Sequence, residues 1–316
     1  MNNEDLDNID FIELSVILPC QNEEQALGFC INQIKEILRQ ENVLAEIIVS
    51  DSSTDNSPMV AKQLGVKLIK HDHNGYGRAY LEAFKVVQGK YIFMADADGT
   101  YDFREIPKFL NYLKQGSDLV IGDRFKGKID KGAMPWLHRY IGNPVLSFLF
   151  RVFFKAKIND VHCGMRAITK ESLTKLNLRT TGMEFATEMI VRASQENLRI
   201  KQLPINYHLR KGKSKLKSFS DGWRHLRFML TYAPDYLFLI PGILFLLAGI
   251  VLIWLLRSNI VYGCFLIILG YQTISLSVFT KVYMKSIGLI KNDKLVDYLA
   301  KVIKFETGVI LGAILL

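Results

Sequence analysis

A chain of 316 residues is long enough for one large domain and a further element, and its formal charge of +9 suits either nucleic acid or an anionic membrane. A positive mean hydropathy of +0.14 beside that charge is unusual for a soluble protein. The apolar excess lies mostly after residue 236, and Lys and Arg crowd at 211–217 and around Arg224 and Arg227 just before it, which favours a membrane partner over nucleic acid.

Residues 1–11 are acidic and polar, the opposite of a secretory leader, and are expected to be disordered. Leu14–Leu18 is a compact β-rich run stopped by Pro19, and Leu27, Ile31, Ile34 and Leu38 then mark one face of a helix. Glu46–Val49 reads as a second strand running into Ser50–Asp55, a stretch dense in helix-capping residues, so that Asp51 is open as a cap or as a ligand group. Val66–Ile69 is a third strand, Tyr80, Ala83, Phe84 and Val87 stripe the next helix, and Lys90–Met94 is a fourth strand. Strands alternating with helices predict a parallel sheet of βαβ units, whose strand carboxyl ends host ligands. Asp51, the loop at Gly75, and the pair Asp96 and Asp98 all fall at such ends. Two carboxylates two residues apart on extended backbone face the same way and repel unless a cation or a shared proton intervenes. A hard divalent ion, Mg²⁺ or Mn²⁺, is the simplest remedy, although Asp98-Gly99 is also an ordinary turn.

Asp102 and Glu105 have capping-box spacing and predict a helix to about Gln115. Asp118–Ile121 is a fifth strand, ending in Gly122-Asp123-Arg124. Within Ala133–Lys155 the apolar run Val145–Phe154 is too short to span a bilayer, and reads as core or as a helix resting on headgroups. Residues 184–197 form a helix with Ala186, Met189, Ile190 and Ala193 on one face, and Arg199–Leu209 is a strand that Pro204 places at an edge or bend. Cys20, Cys30, Cys163 and Cys264 lie far apart, which indicates a reducing compartment and neither a zinc site nor a disulfide framework.

Residues 218–236 read as a juxtamembrane, interfacial helix, and 237–280 as two membrane helices, Leu237–Leu256 and Val261–Thr280, joined by a tight turn. Basic residues before the first and after the second (Lys281, Lys285, Lys291 and Lys294) put the large domain and the 281–306 segment on the cytoplasmic side. The apolar run 307–316 reads as the start of a third span.

Pro19-Cys20-Gln21-Asn22-Glu23-Glu24, Asp51-x-Ser53-Thr54-Asp55, Asn74-Gly75-x-Gly77, Asp96-x-Asp98 and Arg210-x-Gly212-x-Ser214-Lys215 occur in the order seen in family 2 glycosyltransferases. More narrowly, the chain resembles the dolichyl-phosphate mannose and glucose synthase branch. The resemblance covers roughly 12–230 and implies an α/β fold of GT-A type, a Rossmann-like, mostly parallel sheet over 12–217, followed by the membrane hairpin. It implies a nucleotide sugar donor of UDP-glucose or GDP-mannose type, a polyprenyl phosphate acceptor, a divalent metal and inversion at the anomeric carbon. Asp96 and Asp98 match the metal-holding pair. Pro19, Gln21, Glu23, Asp51 and Gly75 match the nucleotide side, and Arg210 and Lys215, with Lys213, match a loop that closes over the diphosphate. Arg124 and Arg139 match the acceptor-phosphate arginines, with Asn143 beside them. Arg139 also reads as a group meeting lipid headgroups, and Lys211 and Lys217 as a solvated or lipid-attracted run.

Ser50-Asp51-Ser52-Ser53 stands where the family often has Asp-Asp-Gly-Ser, which leaves uridine or guanosine open. Asp160-x-x-Cys163-Gly164-x-Arg166 resembles a segment under the acceptor site. Glu184 or Glu188 stands where sugar-acceptor relatives carry a base, while Glu188 and Arg192 also have ion-pair spacing. His71 and His73 read as nucleotide loop or surface rather than metal ligands. A phosphate monoester is ionised near neutral pH, its second pKa being about 6, so such an acceptor needs cations more than a base. Competing readings are a sugar-acceptor or processive synthase, whose Gln-x-x-Arg-Trp string is missing, and an inactive nucleotide-binding membrane scaffold. A homo-oligomer is compatible with either.

Overall fold

A computed structural model of the chain describes residues 12–72, 74–212, 218–255, 260–290, 293–302 and 313. Two compact units divide it after Phe228. His73, Lys213, Lys215, Lys217, Lys291, the turn at 256–259 and all of 307–316 except Ala313 lie outside the described residues.

The first unit is built on seven strands: β1 (Leu14–Cys20), β2 (Ala45–Asp51), β3 (Lys67–Lys70), β4 (Tyr91–Met94), β5 (Leu119–Asp123), β6 (Arg166–Thr169) and β7 (Ile200–Pro204). They lie in the order β3-β2-β1-β4-β6-β5-β7. β3, β2, β1 and β4 run parallel, as do β5 and β7, whereas β6 is antiparallel to both its neighbours. The crossover helices are α1 (Glu24–Gln40), α2 (Ser57–Gln63), α3 (Tyr76–Phe84) and α4 (Ile106–Lys114). They bury the predicted stripes, Leu27, Ile31, Ile34 and Leu38 among them. Then come α5 (Asn143–Phe154), α6 (Lys170–Leu176), α7 (Phe185–Gln195) and α8 (Ser218–Tyr232).

The strand order reverses at β1 and β4, and at such a switch point the loops part to leave a crevice. β1 delivers Glu23 there, β4 delivers Asp96 and Asp98, and Cys20 pairs in register with Asp51 at the end of β2. Beneath the crevice Tyr80 stacks on Phe185 at 5.2 Å and Phe93 meets Phe109 edge-on at 5.4 Å.

Two predicted elements change and one strand is new. The strand expected over 199–209 is confined to Ile200–Pro204, and Pro204 sits on the edge strand, where a missing N–H costs no ladder bond. The helix expected from Asp102 begins as a single 3₁₀ turn, Phe103–Glu105, with the Asp102 carboxylate accepting from the Arg104 amide at 3.0 Å. β6 was not anticipated. Its four residues are too few for a period, and its first, Arg166, is a buried charge that reads as non-strand.

Among the described residues the second unit has two helices long and apolar enough to cross a membrane, Asp235–Leu255 and Ile260–Ser286, with mean hydropathies of 2.7 and 1.6. The first opens with a π-helical turn at Asp235–Leu239 and continues as α9 (Ile240–Leu255); the second is α10. Their seam is made of small residues. A Cβ at Gly249 would stand 2.6 Å from the Gly263 carbonyl oxygen, and one at Gly270 2.6 Å from the Leu246 nitrogen. In α10 the buried Gly263, Gly270, Ser277 and Met284 recur every seven residues, the spacing that keeps one seam facing a partner helix. Lys281 is paired with Asp235 at 2.6 Å and Asp293 at 2.8 Å, and Lys285 with Asp297 of α11 (Lys294–Val302). Two of the basic residues used to orient the hairpin are therefore charge-neutralised.

Candidate active site

Asp96 and Asp98 follow β4 in a loop whose Gly99 takes φ +77°, a left-handed turn conformation that favours glycine. Asp98 is 5% exposed; its Oδ1 accepts from the Thr100 amide at 3.0 Å and hydroxyl at 2.6 Å, and its Oδ2 meets Arg210 Nη1 at 3.0 Å. Arg210 Nη2 donates to Glu23, so one guanidinium ties the loop after β1 to the loop after β4. Backbone bonds hold the segment that carries it, from His208 N–H to Thr100 O and from Lys211 N–H to Asp98 O. Asp96 differs. Its Oδ1 is shut away from solvent without a hydrogen-bond partner. Burial first, and the Asp98 charge second, push its carboxyl up to about 7, against the pull of the Tyr76 hydroxyl and the Arg210 and Arg124 charges.

Asp51 is fully buried, its Oδ1 accepting from Ser53 Oγ at 2.5 Å while Oδ2 has no partner. Asn22, at φ +54°, accepts from the Thr54 amide at 2.8 Å and so fastens the loop after β1 to the loop after β2. Pro19 lies in β1 beside Ser50, and Gln21 donates to Asn74 at 2.9 Å. The requirement for glycine at Gly75 and Gly77 comes from packing: a Cβ at either would stand 2.4 Å and 2.3 Å from carbonyl oxygens of Thr181 and Thr180. That neighbouring loop is pinned by Glu188, 1% exposed, which accepts from the Arg179 and Thr180 amides and the Thr180 hydroxyl. Glu188 is thereby a loop anchor, and the unpartnered, buried Oε2 of Glu184 is the more available carboxylate.

On the other side, Arg124 directly follows β5 and is 7% exposed. Its Nε and Nη2 grip Asp160 bidentately at 2.6 and 2.8 Å, and its guanidinium lies 5.3 Å from the Tyr207 ring centroid. The segment 160–166 joins the two sides. Asp160 holds Arg124, while a Cβ on Gly164 would stand 2.7 Å from Asp96 Oδ2. Arg166 locks this segment by donating to the carbonyls of Val161, Cys163 and Ala186 at 2.6–2.7 Å. Arg139 is on a π-helical turn, His138–Gly142, half-buried, with its guanidinium 5.4 Å from the Tyr140 ring centroid. Among the described residues no ion pair links Arg139 to the carboxylate cluster, and the Asn143 amide meets Met134 Sδ at 3.6 Å. The helix around them is both core and surface: Phe150 is buried, while Leu137, Tyr140, Ile141, Val145 and Phe148 are exposed.

Thr100, Asn22, Tyr76 and Asp160 as the partner of Arg124 were not anticipated as site groups. Asn22 and Asp160, each within its motif, carried a signal of position. Among the described residues no three His, Cys, Asp or Glu side chains are arranged to hold a metal by themselves. A pair of carboxylates with one orphaned oxygen fits an ion that takes its remaining ligands from a diphosphate and water, as Mg²⁺ does.

A mixed sheet with crossover helices and an acidic pair after its fourth strand is the GT-A arrangement of nucleotide-sugar transferases. The chain superposes on glucosyl-3-phosphoglycerate synthase from Mycobacterium tuberculosis, solved with Mn²⁺ and UDP, with a TM-score of 0.57 at 20% identity over 70% of this chain and 80% of that one. The profile of glycosyl transferase family 2 matches residues 15–176. The chain is 39% identical to the low-salt glycan biosynthesis hexosyltransferase Agl6 of Haloferax volcanii, over 96% of this chain and 76% of that protein. It is 34% identical to the dolichyl-phosphate hexose transferase of the same organism, over 67% and 90%. The chain belongs to glycosyl transferase family 2 and is a glycosyltransferase.

Proposed function

We propose that this enzyme moves a hexose from a nucleotide sugar, of UDP-glucose or GDP-mannose type, to a polyprenyl phosphate at a membrane surface. The observation that carries the reading is the single segment 160–166, which packs against Asp96 at one end and grips Arg124 at the other. It sets a carboxylate pair beside an arginine, as transfer between a diphosphate and a phosphate requires.

In this reading Asp96 and Asp98 hold Mg²⁺ or Mn²⁺, and the Mn²⁺ and UDP of the mycobacterial synthase structure support a divalent ion and a nucleotide in a site of this fold. When bound, the ion neutralises the diphosphate and stabilises the charge that develops on it as leaving group. Asp51 offers its unpartnered Oδ2 to an N–H of the base, and Pro19, Gln21, Glu23 and Gly75 line the nucleoside. Arg210 and Lys215 contact the diphosphate. Arg124, Arg139 and Asn143 orient the acceptor phosphate, whose oxygen attacks the anomeric carbon in line as the bond to the nucleoside diphosphate breaks. Attack from the opposite face inverts that carbon. The acceptor is already an anion, so no strong base is needed. The name of the Haloferax dolichyl-phosphate hexose transferase supports this acceptor class.

The helices at 235–255 and 260–286 are assigned as a bilayer-spanning hairpin, with the 12–217 domain on the cytoplasmic face and the 218–236 segment at the interface. The test is incubation of membranes containing the full chain with labelled UDP- and GDP-sugars and polyprenyl phosphate. Label should appear in a lipid-linked, mild-acid-labile product with one donor. Transfer only to water or to a free sugar would overturn the acceptor assignment.

A further inference from the structure

Asp98 has no oxygen to spare. One is taken by Thr100, amide and hydroxyl together, and the other carries Arg210 at 3.0 Å. Mg²⁺ binds a carboxylate oxygen at about 2.1 Å, so a divalent ion and this guanidinium nitrogen compete for the same oxygen. The arginine is held from both sides, with Glu23 on its other nitrogen, and the side chains of Glu23 and Asp98 are only 9% and 7% exposed. Removing either partner from such a nearly dry cluster without a replacement leaves an uncompensated charge.

We infer that Arg210 is the resident counter-cation of Asp98 in the donor-free enzyme, and that it yields that carboxylate to a divalent ion only when a nucleoside diphosphate receives the guanidinium. The inference rests on the reading that Asp96 and Asp98 hold the metal. Exchange then replaces two pairings at once: the ion takes Asp98, and the diphosphate takes Arg210. Neither ligand alone completes the exchange, so each raises the affinity for the other by the same factor. The backbone of the arginine segment is tied to Thr100 and Asp98, so the exchange runs through the Arg210 side chain. The consequence is a site that does not fill with metal before its donor arrives.

The experiment measures Mn²⁺ binding to the full chain in detergent, by equilibrium dialysis or the electron paramagnetic resonance of free Mn²⁺, with no nucleotide and with UDP or GDP. Arg210→Ala and Arg210→Gln should bind Mn²⁺ alone about tenfold more tightly than the wild type, and the nucleotide-induced gain of the wild type should shrink by a similar factor in both. Lys211→Ala is the control for long-range charge. Lys211 is next in sequence, but its ammonium lies over the Phe29 ring at 3.3 Å rather than on Asp98. Its gain should stay several-fold smaller. Equal gains in Lys211→Ala and Arg210→Ala, or none in either arginine variant while nucleotide-bound protein takes up Mn²⁺, would overturn the inference and leave the metal assignment standing. No Mn²⁺ binding by any variant under any condition would overturn the metal assignment and the inference with it. Two neutral replacements of different size guard against a folding artefact, and both are compared with the wild type by thermal unfolding.

Discussion

Arg210 and Arg124, which the proposed function sets on the donor and acceptor halves of one site, are held in contrasting ways. Arg210 is shared between carboxylates from two loops, one contact each, with its side chain 21% exposed. Arg124 is clasped by both oxygens of one fully buried carboxylate, 36 residues downstream, and stacked near Tyr207. A bidentate pair at this depth exchanges partners only at great cost, whereas single contacts in a crevice are replaced as ligands arrive. On the proposed reading, the donor side is built to re-pair and the acceptor side to stay fixed. The same reading has Arg124 present a standing positive field and its remaining Nη1, and leaves phosphate capture to lean on the less buried Arg139.

The sharpest way to break the donor half is Asp98→Ala. Loss of the carboxylate that re-pairs between arginine and ion should lower kcat/KM by about 10³-fold or more, roughly 4 kcal/mol of transition-state stabilisation. Near-normal turnover of this variant with saturating metal would show that the carboxylate pair is no part of the machinery. The matching test of the acceptor half reads stability. Asp160→Ala leaves Arg124 buried without a partner and should cost about 3–5 kcal/mol, seen as a lowered thermal transition of the full chain in detergent. A shift no larger than that of an exposed-residue control would mean that the pair is not locked.

That contrast was only half legible in the sequence. The donor half is carried by strand ends, and strands β2 and β4 announce themselves by apolar runs, so Asp51, Asp96 and Asp98 could be set at one edge from the sequence, while Glu23 joined them only through the family resemblance. The acceptor half depends on β6, four residues long and opened by Arg166, and on a segment whose role is to touch two distant groups at once. Neither has a period. That Asp160 serves Arg124, 36 residues away, is a tertiary fact that only chain packing reveals. The hairpin was legible because twenty-residue uncharged runs have few alternatives. Its seam of glycines seven residues apart, and the aspartates that neutralise Lys281 and Lys285, become visible only when the helices are paired.

A smaller effect separates the two acceptor arginines. Arg139→Ala removes a half-buried guanidinium whose described ring contact is with its own neighbour, so folding should be unchanged within error. The KM for polyprenyl phosphate should rise by about ten- to a hundredfold, the worth of one charge-assisted contact of roughly 1.5–3 kcal/mol, while donor affinity stays within about twofold. A loss that fell equally on donor and acceptor would move Arg139 out of the acceptor half.

The mildest perturbation is a change of pH, about tenfold for each unit, and it bears on why the two carboxylates of the donor half differ. Asp98 is satisfied by Thr100 and Arg210, but Asp96 is left with an unpartnered oxygen and a carboxyl pushed up to about 7. Its folded-state pKa is raised, so the proton is retained below that value, and a divalent ion must displace it there. Mn²⁺ affinity should therefore fall about tenfold for each pH unit below about 7 and level off above it, with one proton released per ion bound on the acid side. Calorimetric titration in two buffers of different ionisation enthalpy counts that proton directly. Asp96→Asn should bind weakly and lose the slope. A wild-type affinity that is flat down to about pH 5 would mean that Asp96 is already ionised, and that the Arg210 and Tyr76 groups outweigh burial and the Asp98 charge in setting its state.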